Sequence, residues 1–373
     1  MATPPQPVGL GLIGCGQFGE YCLETYARLP GVRPAAAADA NPSAARRVAE
    51  RFGIPAVSDA ESLIRRPDVD LVYIATPPAT HYGLALHALA AGKHVLCEKP
   101  LATRLADADA ILTAAAGSDL IAPVNFVLRH NVVALAVERI IRSGLLGLPL
   151  HASFENFAQD ETLGPEHWFW DRQVSGGIFI EHGVHFFDLY RAWLGPCRIL
   201  AAHAEKREGS EAQDRVMCIA RHESGAVAYH YHGFDQASRM DRQLHRLEFE
   251  LGDLAVHGWV PQSLTLTALV DEAGQARLGE LLPGAATEVL ERYDTPRGQG
   301  FRSRWTERRA TGKVRMDWTP GHTKEALYRQ CIGDLLADQL AYLADRSHVR
   351  LVTEQNGRAA LALAVQATEL AGG

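Results

Sequence analysis

One glycine-rich turn constrains the fold of this chain more than any other feature. The run Gly14-Cys15-Gly16-Gln17-Phe18-Gly19 directly follows the apolar stretch Val8 to Ile13, and Asp39 ends a second apolar stretch twenty residues later. Gly14 permits a tight turn, Gly16 lets main-chain N–H groups approach a pyrophosphate, and Gly19 lets the following helix pack against the strand. The order strand, glycine turn, helix, strand, acid predicts a dinucleotide-binding site with the phosphates at the helix N-terminus.

Asp39 also predicts which dinucleotide is bound. Its carboxylate can accept both ribose hydroxyls of NAD and would repel a 2′-phosphate, and no arginine follows it until Arg46 and Arg47. NAD is therefore favoured over NADP. A glycine-rich loop without a ligand is the alternative, which the flanking strand patterns disfavour.

Length and charge limit the class of protein. The chain has 373 residues, 47% of them hydrophobic, which is enough for two domains. A formal net charge of −7 at pH 7 argues against binding to nucleic acid or to an anionic membrane and suits a neutral small-molecule substrate. No apolar run approaches the roughly 18 residues that a membrane span needs.

Six cysteines without a C-x-x-C pair, and a first segment unlike a secretory leader, predict a reduced, cytoplasmic protein.

The pattern of strands and helices changes along the chain. Up to about residue 123, apolar strands alternate with helices, which predicts a parallel sheet covered by helices. From His151 onward, short strands follow one another with brief turns, which predicts an antiparallel sheet. The chain is therefore expected to have an α/β fold.

Two strand ends in the first part carry candidate functional residues, because ligands of parallel sheets bind at the carboxyl ends of the strands. Thr76 and Pro77 follow one strand, and Glu98-Lys99-Pro100 follows the next. The Lys99 ammonium is expected where a nicotinamide would lie, donating to a substrate oxygen and stabilising developing negative charge. A solvated surface lysine is the alternative, and its position on the same side as the glycine turn argues against it.

A predicted apolar helix from Gly177 to Leu194 carries three ionisable residues. Glu181, His185 and Asp188 are spaced i, i+4 and i+7, so they line one face of an α-helix. Buried ionisable groups must be paired, hydrated or shifted in pKa, and His185 between carboxylates is a candidate proton acceptor near neutral pH. A hydrogen-bonded core histidine is one alternative. A metal site that includes His182 is another, but the zinc-binding helix needs histidines at i and i+4, so no metal is predicted.

Several segments together resemble the glucose-fructose oxidoreductase, inositol dehydrogenase and rhizopine-catabolism (Gfo/Idh/MocA) oxidoreductases. The matching segments are Gly14 to Gly19, Ala75 to His81, Ala91 to Leu101, and Ser175 to Gly195, which occur in the family's order over about half the chain. The resemblance implies a Rossmann NAD-binding domain, residues 1–124, and a substrate-binding α/β domain, residues 125–373, with a large, mostly antiparallel open sheet. Helix 353–370 is expected to pack back toward the first domain, and a homodimer or homotetramer to form through the sheet.

The resemblance also implies roles for single residues. Lys99 matches the lysine that contacts the substrate hydroxyl and the nicotinamide ribose, and His185 matches the catalytic acid or base, with Glu181 orienting the imidazole. Expected cofactor contacts are Gly14, Gly16, Gln17, Phe18, Gly19, Asp39, Thr76, Pro77, His81, Glu98 and Lys99. Expected substrate contacts are Lys99, Asn125, Arg129, Trp168, Trp170, Glu181, His182 and His185. The two tryptophans are included because aromatic rings suit a sugar, although such a cluster is as often core.

The implied activity is that of an NAD(P)-dependent dehydrogenase of a sugar or cyclitol, oxidising a secondary alcohol. Two departures from the family pattern bear on it: Glu181 and His182 replace an aspartate and an apolar residue, and Pro78 replaces an asparagine. Two other functions stay open. One is glycoside cleavage through transient oxidation at C3, and the other is a non-enzymatic NAD-binding regulator on the same scaffold.

Two further groups of residues receive no firm role from the sequence. A basic set, Arg302, Arg304, Arg308, Arg309, Lys313 and Arg315, could bind a phosphate or carboxylate of the substrate, although a solvated basic loop is the favoured interpretation. His230 and His232 share one face of a strand. The sequence leaves open whether this face reaches the substrate cleft.

Overall fold

A computed structural model describes residues 7–293 and 298–372. Within them the chain forms two compact units. The first contains the chain up to His130 together with residues 165–188 and 329–366, and the second contains residues 131–164, 189–328 and the chain from Ala367. These units are discontinuous in sequence, whereas the domain limits 1–124 and 125–373 are continuous, and those limits stay a prediction.

A five-stranded parallel sheet forms the centre of the first unit. Its strands are β1 (Val8–Ile13), β2 (Val32–Ala38), β3 (Ala56–Val57), β4 (Leu71–Ile74) and β5 (His94–Cys97). The strand order is β3-β2-β1-β4-β5, and every neighbouring pair is parallel. This confirms the Rossmann-like sheet. The order reverses between β1 and β4, so the carboxyl ends of these two strands flank the place where such sheets bind ligands.

Helices alternate with the strands in the first part of the chain, as the sequence predicts, and others occur along the rest of the described residues. They are α1 (Gln17–Tyr26), α2 (Pro42–Phe52), α3 (Ala60–Ile64), α4 (His81–Ala90), α5 (Leu105–Gly117), α6 (Val132–Ser143), α7 (Arg172–Ser175), α8 (Val184–Leu194), α9 (Glu272–Leu281), α10 (Lys324–Ala344) and α11 (Glu354–Leu370). Shorter 3₁₀ turns lie at Pro78–Thr80, Val127–His130, Trp168–Trp170 and Ser238–Met240, and a π-helix lies at Phe179–Gly183.

The last helix contacts the parallel-sheet part of the chain. Glu354 Oε1 accepts a hydrogen bond from Ala122 N at 3.0 Å, and Arg358 Nε lies 2.9 Å from a carboxylate oxygen of Asp109 on α5. A Cβ added to Gly357 would lie 2.4 Å from a methyl carbon of Val124, so α11 approaches this part of the chain closely. A residue larger than glycine at position 357 would clash with Val124 unless the two segments moved apart.

A nine-stranded sheet forms the centre of the second unit. Its strands are β6 (Pro149–Gln159), β7 (Cys197–Lys206), β8 (Gln213–His222), β9 (Val227–Gln236), β10 (Arg242–Phe249), β11 (Gly252–His257), β12 (Ser263–Val270), β13 (Ala286–Arg292) and β16 (Gly312–Trp318), and β14 (Gln299–Ser303) pairs with β15 (Thr306–Ala310) in a separate two-stranded sheet. The order is β13-β16-β12-β11-β10-β6-β9-β8-β7, and among the described strands of this sheet only β6 and β9 pair in parallel. The mostly antiparallel sheet is confirmed.

The interpretation of the basic set as a loop was wrong. Its residues lie on β14, β15, β16 and the turn between the first two of these strands. Charged residues dominate only β15, where the apolar alternation that marks β-structure is weak. On β16 the alternation is present, with Val314, Met316 and Trp318 buried.

His230 and His232 lie in the core of the second unit and not on an open face. Both are almost completely buried, as is His245 on β10. The ring of His230 lies 4.6 Å from that of Tyr190, and the ring of His245 lies 4.6 Å from that of Phe154, measured between centroids. Burial lowers the pKa of His230 well below its usual value and lowers the pKa of His245 to about 3. Neutral imidazoles therefore act as aromatic core side chains here.

This core predicts destabilisation by mild acid. Between an unfolded-state pKa near 6.5 and the pKa of about 3 for His245, the unfolded chain binds a proton that the native chain excludes. The free energy of unfolding therefore falls as the pH falls through this window, by up to about 1.4 kcal/mol per pH unit for one histidine. Urea unfolding at pH 7.5 and 5.5 measures the difference. We expect a smaller difference for His245→Leu, and an equal difference in the variant would contradict the account.

Candidate active site

The glycine turn after β1 has the geometry that close packing requires. Gly14 has a φ of 100°, and a Cβ on it would lie 2.4 Å from the carbonyl oxygen of Ala75. A Cβ on Gly19 would lie 2.1 Å from the carbonyl oxygen of Gly14. A Cβ on Gly16 would meet nothing within 4 Å. Gly14 and Gly19 are therefore needed by the protein itself, whereas the space at Gly16 is open for a ligand.

The first turn of α1 and Asp39 complete this end of the site. Gln17 and Phe18 begin α1, and Gly16 precedes them without a side-chain cap, so main-chain N–H groups there are available to an anion. The carboxylate of Asp39 accepts hydrogen bonds from Cys15 N at 2.6 Å and from Asn41 N at 2.7 Å. Each carboxylate oxygen can accept a second bond, which leaves capacity for ribose hydroxyls.

A buried hydrogen-bond network holds the turn that carries Lys99. Oε1 of Glu98 accepts hydrogen bonds from the Tyr73 hydroxyl and from Nδ2 of Asn125, both at 2.6 Å. Burial raises the pKa of Glu98, and these two hydrogen bonds act in the opposite direction. The structure places Glu98 and Asn125 inside the protein, where they fix the end of β5. Sequence reasoning missed Tyr73, because a tyrosine within an apolar strand gives no sign of its partner.

His81 connects the turns that follow β4 and β5. Its Nδ1 lies 2.6 Å from the carbonyl oxygen of Pro100, and its Nε2 lies 2.8 Å from that of Thr76. The ring is fully buried. Burial lowers the pKa of His81, while the two carbonyl oxygens raise it. Thr76 also accepts at its hydroxyl from Thr80, at 2.7 Å, which tightens the turn beside Pro77. His81 therefore links the two strand ends.

Lys99 is held by Glu181. The Lys99 ammonium donates to the main-chain oxygen of Glu181 at 2.9 Å and forms an ion pair with Oε1 of the same residue. Glu181 lies in the π-helix Phe179–Gly183, and the α-helix begins only at Val184. The sequence predicted a continuous helix with Glu181, His185 and Asp188 on one α-helical face. That prediction was wrong in detail, because the wider π-turn changes the register and directs Glu181 to Lys99.

His185 is buried and neutral beside this ion pair. Burial and the Lys99 charge lower its pKa well below the usual value, and its Nδ1 has no hydrogen-bond partner among the described residues. Burial, Lys99 and His185 lower the pKa of His182 in the same way, and its ring packs 5.0 Å from that of Phe186. Lys99 thus acts electrostatically on both imidazoles, and both are in the neutral form at neutral pH.

The carboxylate of Asp188 interacts with Arg129 and Asn356. Its carboxylate lies 3.5 Å from Nη1 of Arg129 and accepts from Nδ2 of Asn356 at 3.2 Å. Asp188 is almost completely buried, and the Arg129 side chain is 13% exposed. The structure therefore connects the segment containing Arg129 to the helix of His185. Asn356 was missed from the sequence, because it stands 168 residues after Asp188.

Trp168 and Trp170 lie in a short 3₁₀ turn of the first unit and are half-buried. The ring of Trp168 packs 5.2 Å from His167, and that of Trp170 packs 4.9 Å from Phe169. Their contact with a substrate stays a prediction.

The described residues contain no group of three or more His, Cys, Asp or Glu side chains arranged to hold a metal ion. No helix in the described part of the chain is long and apolar enough to cross a bilayer.

Comparison with protein families assigns this fold and site to one class. Residues 8–126 match the model described as "Oxidoreductase family, NAD-binding Rossmann fold", and residues 134–252 match the Gfo/Idh/MocA C-terminal domain. Together the two matches cover more than half of the chain. The chain belongs to the Gfo/Idh/MocA oxidoreductases, and its first part is an NAD-binding Rossmann domain.

Similar proteins in other organisms act on sugars and cyclitols. A dTDP-3,4-didehydro-2,6-dideoxy-alpha-D-glucose 3-reductase from Streptomyces violaceoruber is 34% identical over 50% of this chain and 54% of its own length. An inositol 2-dehydrogenase from Acidothermus cellulolyticus is 34% identical over 59% of this chain and 64% of its own. The chain thus spans less than two thirds of these relatives. A levoglucosan dehydrogenase solved with NADH and levoglucosan shares the fold, with a TM-score of 0.77, 22% identity and coverage of 98% of both chains.

Two glycines of the turn, Gly16 and Gly19, predict separable defects. Gly16→Ala should leave the melting temperature unchanged, because Gly16 has a φ of −66° and open space at its Cβ, yet it should raise the Kd for NAD at least about tenfold by blocking the approach of the pyrophosphate. Gly19→Ala should lower the melting temperature as well, because of its 2.1 Å clash.

Calorimetric titration with NAD and thermal unfolding measure both effects. Gly83→Ala on α4, which also has open space at its Cβ, is the matched control. Wild-type NAD affinity in Gly16→Ala would show that the turn does not hold the dinucleotide.

Proposed function

We propose that the protein is an NAD-dependent oxidoreductase that transfers a hydride between nicotinamide and a secondary alcohol or ketone of a sugar, glycoside or cyclitol. The observation that carries this proposal is the Lys99–Glu181 ion pair beside a neutral, buried His185, in the same unit as the glycine turn. The named substrates of the relatives, a didehydro sugar and an inositol, support this substrate class.

The residues present fit NAD better than NADP. The open space at Gly16, the uncapped start of α1 and the remaining acceptor capacity of Asp39 suit a pyrophosphate and a ribose diol. Arg47 does not offer its charge to a 2′-phosphate, because its Nη2 donates to Cys15 O at 2.8 Å and pairs with Glu20 at 3.0 Å. Bound NAD⁺ would supply the hydride acceptor.

Lys99 is suited to hold the reacting oxygen. An ammonium has three donors, and two of them go to the main-chain oxygen and to Oε1 of Glu181. The third remains for a substrate hydroxyl, whose developing negative charge the ammonium stabilises. Glu181 thus sets the direction of the third N–H donor of Lys99. The sequence had predicted a different role for Glu181, namely to orient the imidazole of His185.

His185 is the proton acceptor in this proposal. Its pKa lies well below the usual value, so the imidazole is neutral and can take the hydroxyl proton as the alcohol is oxidised. In the reverse direction the imidazolium returns that proton to the alkoxide. His182 and Arg129 are proposed to contact other hydroxyls of the substrate, together with Trp168 and Trp170.

His81, Glu98 and Asn125 act in this proposal by positioning. Each is buried and bonded to protein groups, and together they fix the two strand ends that present Thr76, Pro77 and Lys99. Their effect on NAD and substrate is therefore indirect.

Assembly through the open sheet and a cytoplasmic location belong to the proposal as well. Leu200 on β7 and Ile219 on β8 are about 40% exposed, which suits a homodimer or homotetramer formed through this sheet. The six cysteines, all within the described residues, form no disulfide with one another, as expected in a reducing compartment.

Lys99→Ala and His185→Ala are each expected to retain NAD binding and to lower kcat by about 10²–10⁴-fold, because each removes one group that acts on the reacting hydroxyl. The measurement is nicotinamide absorbance with NAD⁺ and a panel of inositols, free sugars, glycosides and sugar phosphates. His87→Ala, at an exposed histidine of α4, is the control.

The same panel separates the alternatives. Near-normal turnover in either variant would remove its assigned role. Release of free sugar from a glycoside without net NADH would show glycoside cleavage, and tight NAD binding without turnover of any polyol would show a regulator.

A further inference from the structure

The β14–β15 hairpin of the second unit presents a tryptophan at its tip. The strands pair from Gln299 with Ala310 to Ser303 with Thr306, which leaves Arg304 and Trp305 as a two-residue turn. Trp305 is 91% exposed, the highest fraction among the large hydrophobic side chains of the described residues. An isolated indole in water is unfavourable, because it leaves a large apolar surface hydrated.

The turn is also unusual in its backbone. Arg304 has a φ of 47° and Trp305 a φ of 67°, and a two-residue hairpin turn with both values positive normally contains asparagine or glycine. Non-glycine residues in this region carry strain, which is retained where the surrounding structure and a function require it. In the middle of the hairpin, the ring of Phe301 packs 5.1 Å from that of Tyr293. The hairpin is therefore held to the second unit below its tip.

The charge at the tip is opposite to that of the chain. Arg302 and Arg304 are exposed, and neither forms an ion pair with any residue that the structure describes, whereas Arg308 pairs with Glu250 and Arg309 with Glu307. The whole chain has a net charge of −7. A positive tip on a negative protein is complementary to other copies of the same protein.

We propose that the tip of this hairpin, Arg302 to Trp305, docks onto an acidic surface of a second copy of this chain. Tryptophan and arginine are the residue types most enriched at the energetic centres of interfaces. An anionic substrate would need a concave pocket, and a convex turn with an exposed indole does not provide one. The net charge of the chain disfavours a polyanion such as nucleic acid. This contact is additional to the open sheet face.

Two variants test the docking contact. Trp305→Ser and the double variant Arg302→Glu/Arg304→Glu should each raise the dissociation constant of the assembly at least about tenfold, measured by sedimentation velocity over a range of protein concentrations. Neither should lower the melting temperature, because the tip makes no core contact. The matched controls are Val349→Ser, an exposed apolar residue outside the hairpin, and Arg139→Glu on α6. The controls should assemble like the wild type.

Hydrogen exchange locates the contact directly. In the wild type, amides of residues 299–310 should exchange more slowly as the protein concentration rises, and this effect should be absent in Trp305→Ser. Wild-type assembly by both variants would overturn the proposal, as would a monomeric wild type. It would also be overturned if the variants lost only retention on heparin or only affinity for an anionic substrate. None of these readouts uses turnover, so a failure of the proposed reaction leaves this test unaffected.

Discussion

The ion pair between Lys99 and Glu181 connects two segments of the first unit that lie 82 residues apart in the chain. It brings the turn after β5 to the helix that carries His185, and the chemistry of the candidate site depends on this approach. Burial and the neighbouring ammonium together keep the imidazole of His185 neutral, because a protonated ring there would be poorly hydrated and close to a second positive charge. The Lys99–Glu181 ion pair therefore fixes the ammonium donor of Lys99 and places it where its charge favours a neutral His185.

The surrounding residues make this arrangement stiff. Glu98 anchors the turn from inside through Tyr73 and Asn125, and His81 connects it to the turn after β4. A buried carboxyl group is costly unless it is hydrogen-bonded, and here both donors converge on a single oxygen. The π-helix contributes as well, since it presents both the main-chain and the side-chain oxygen of Glu181 to the same ammonium. Such π-turns occur frequently at functional sites.

The sequence was most informative where the signal was local. The glycine turn, the strands beside it and the Glu-Lys-Pro segment could be predicted because each needs particular residues at neighbouring positions. The partners of Glu181 and Asp188 could not, because Lys99 and Asn356 are distant in sequence and the π-turn has the same apolar pattern as an α-helix. The sequence left open whether His230 and His232 lie in the core, and it favoured a loop for the basic set, because polar side chains usually indicate surface or loop.

The protonation state of His185 tests this account most directly. Its ¹⁵N imidazole signals, assigned with a His185→Asn variant, can be followed against pH in the protein without nucleotide. The account predicts that the ring is neutral at pH 6.5 and that its pKa rises when Lys99→Met removes the nearby charge. A ring that titrates at or above pH 6.5 in the wild type, or one that does not respond to the loss of Lys99, would show that the two groups do not converge.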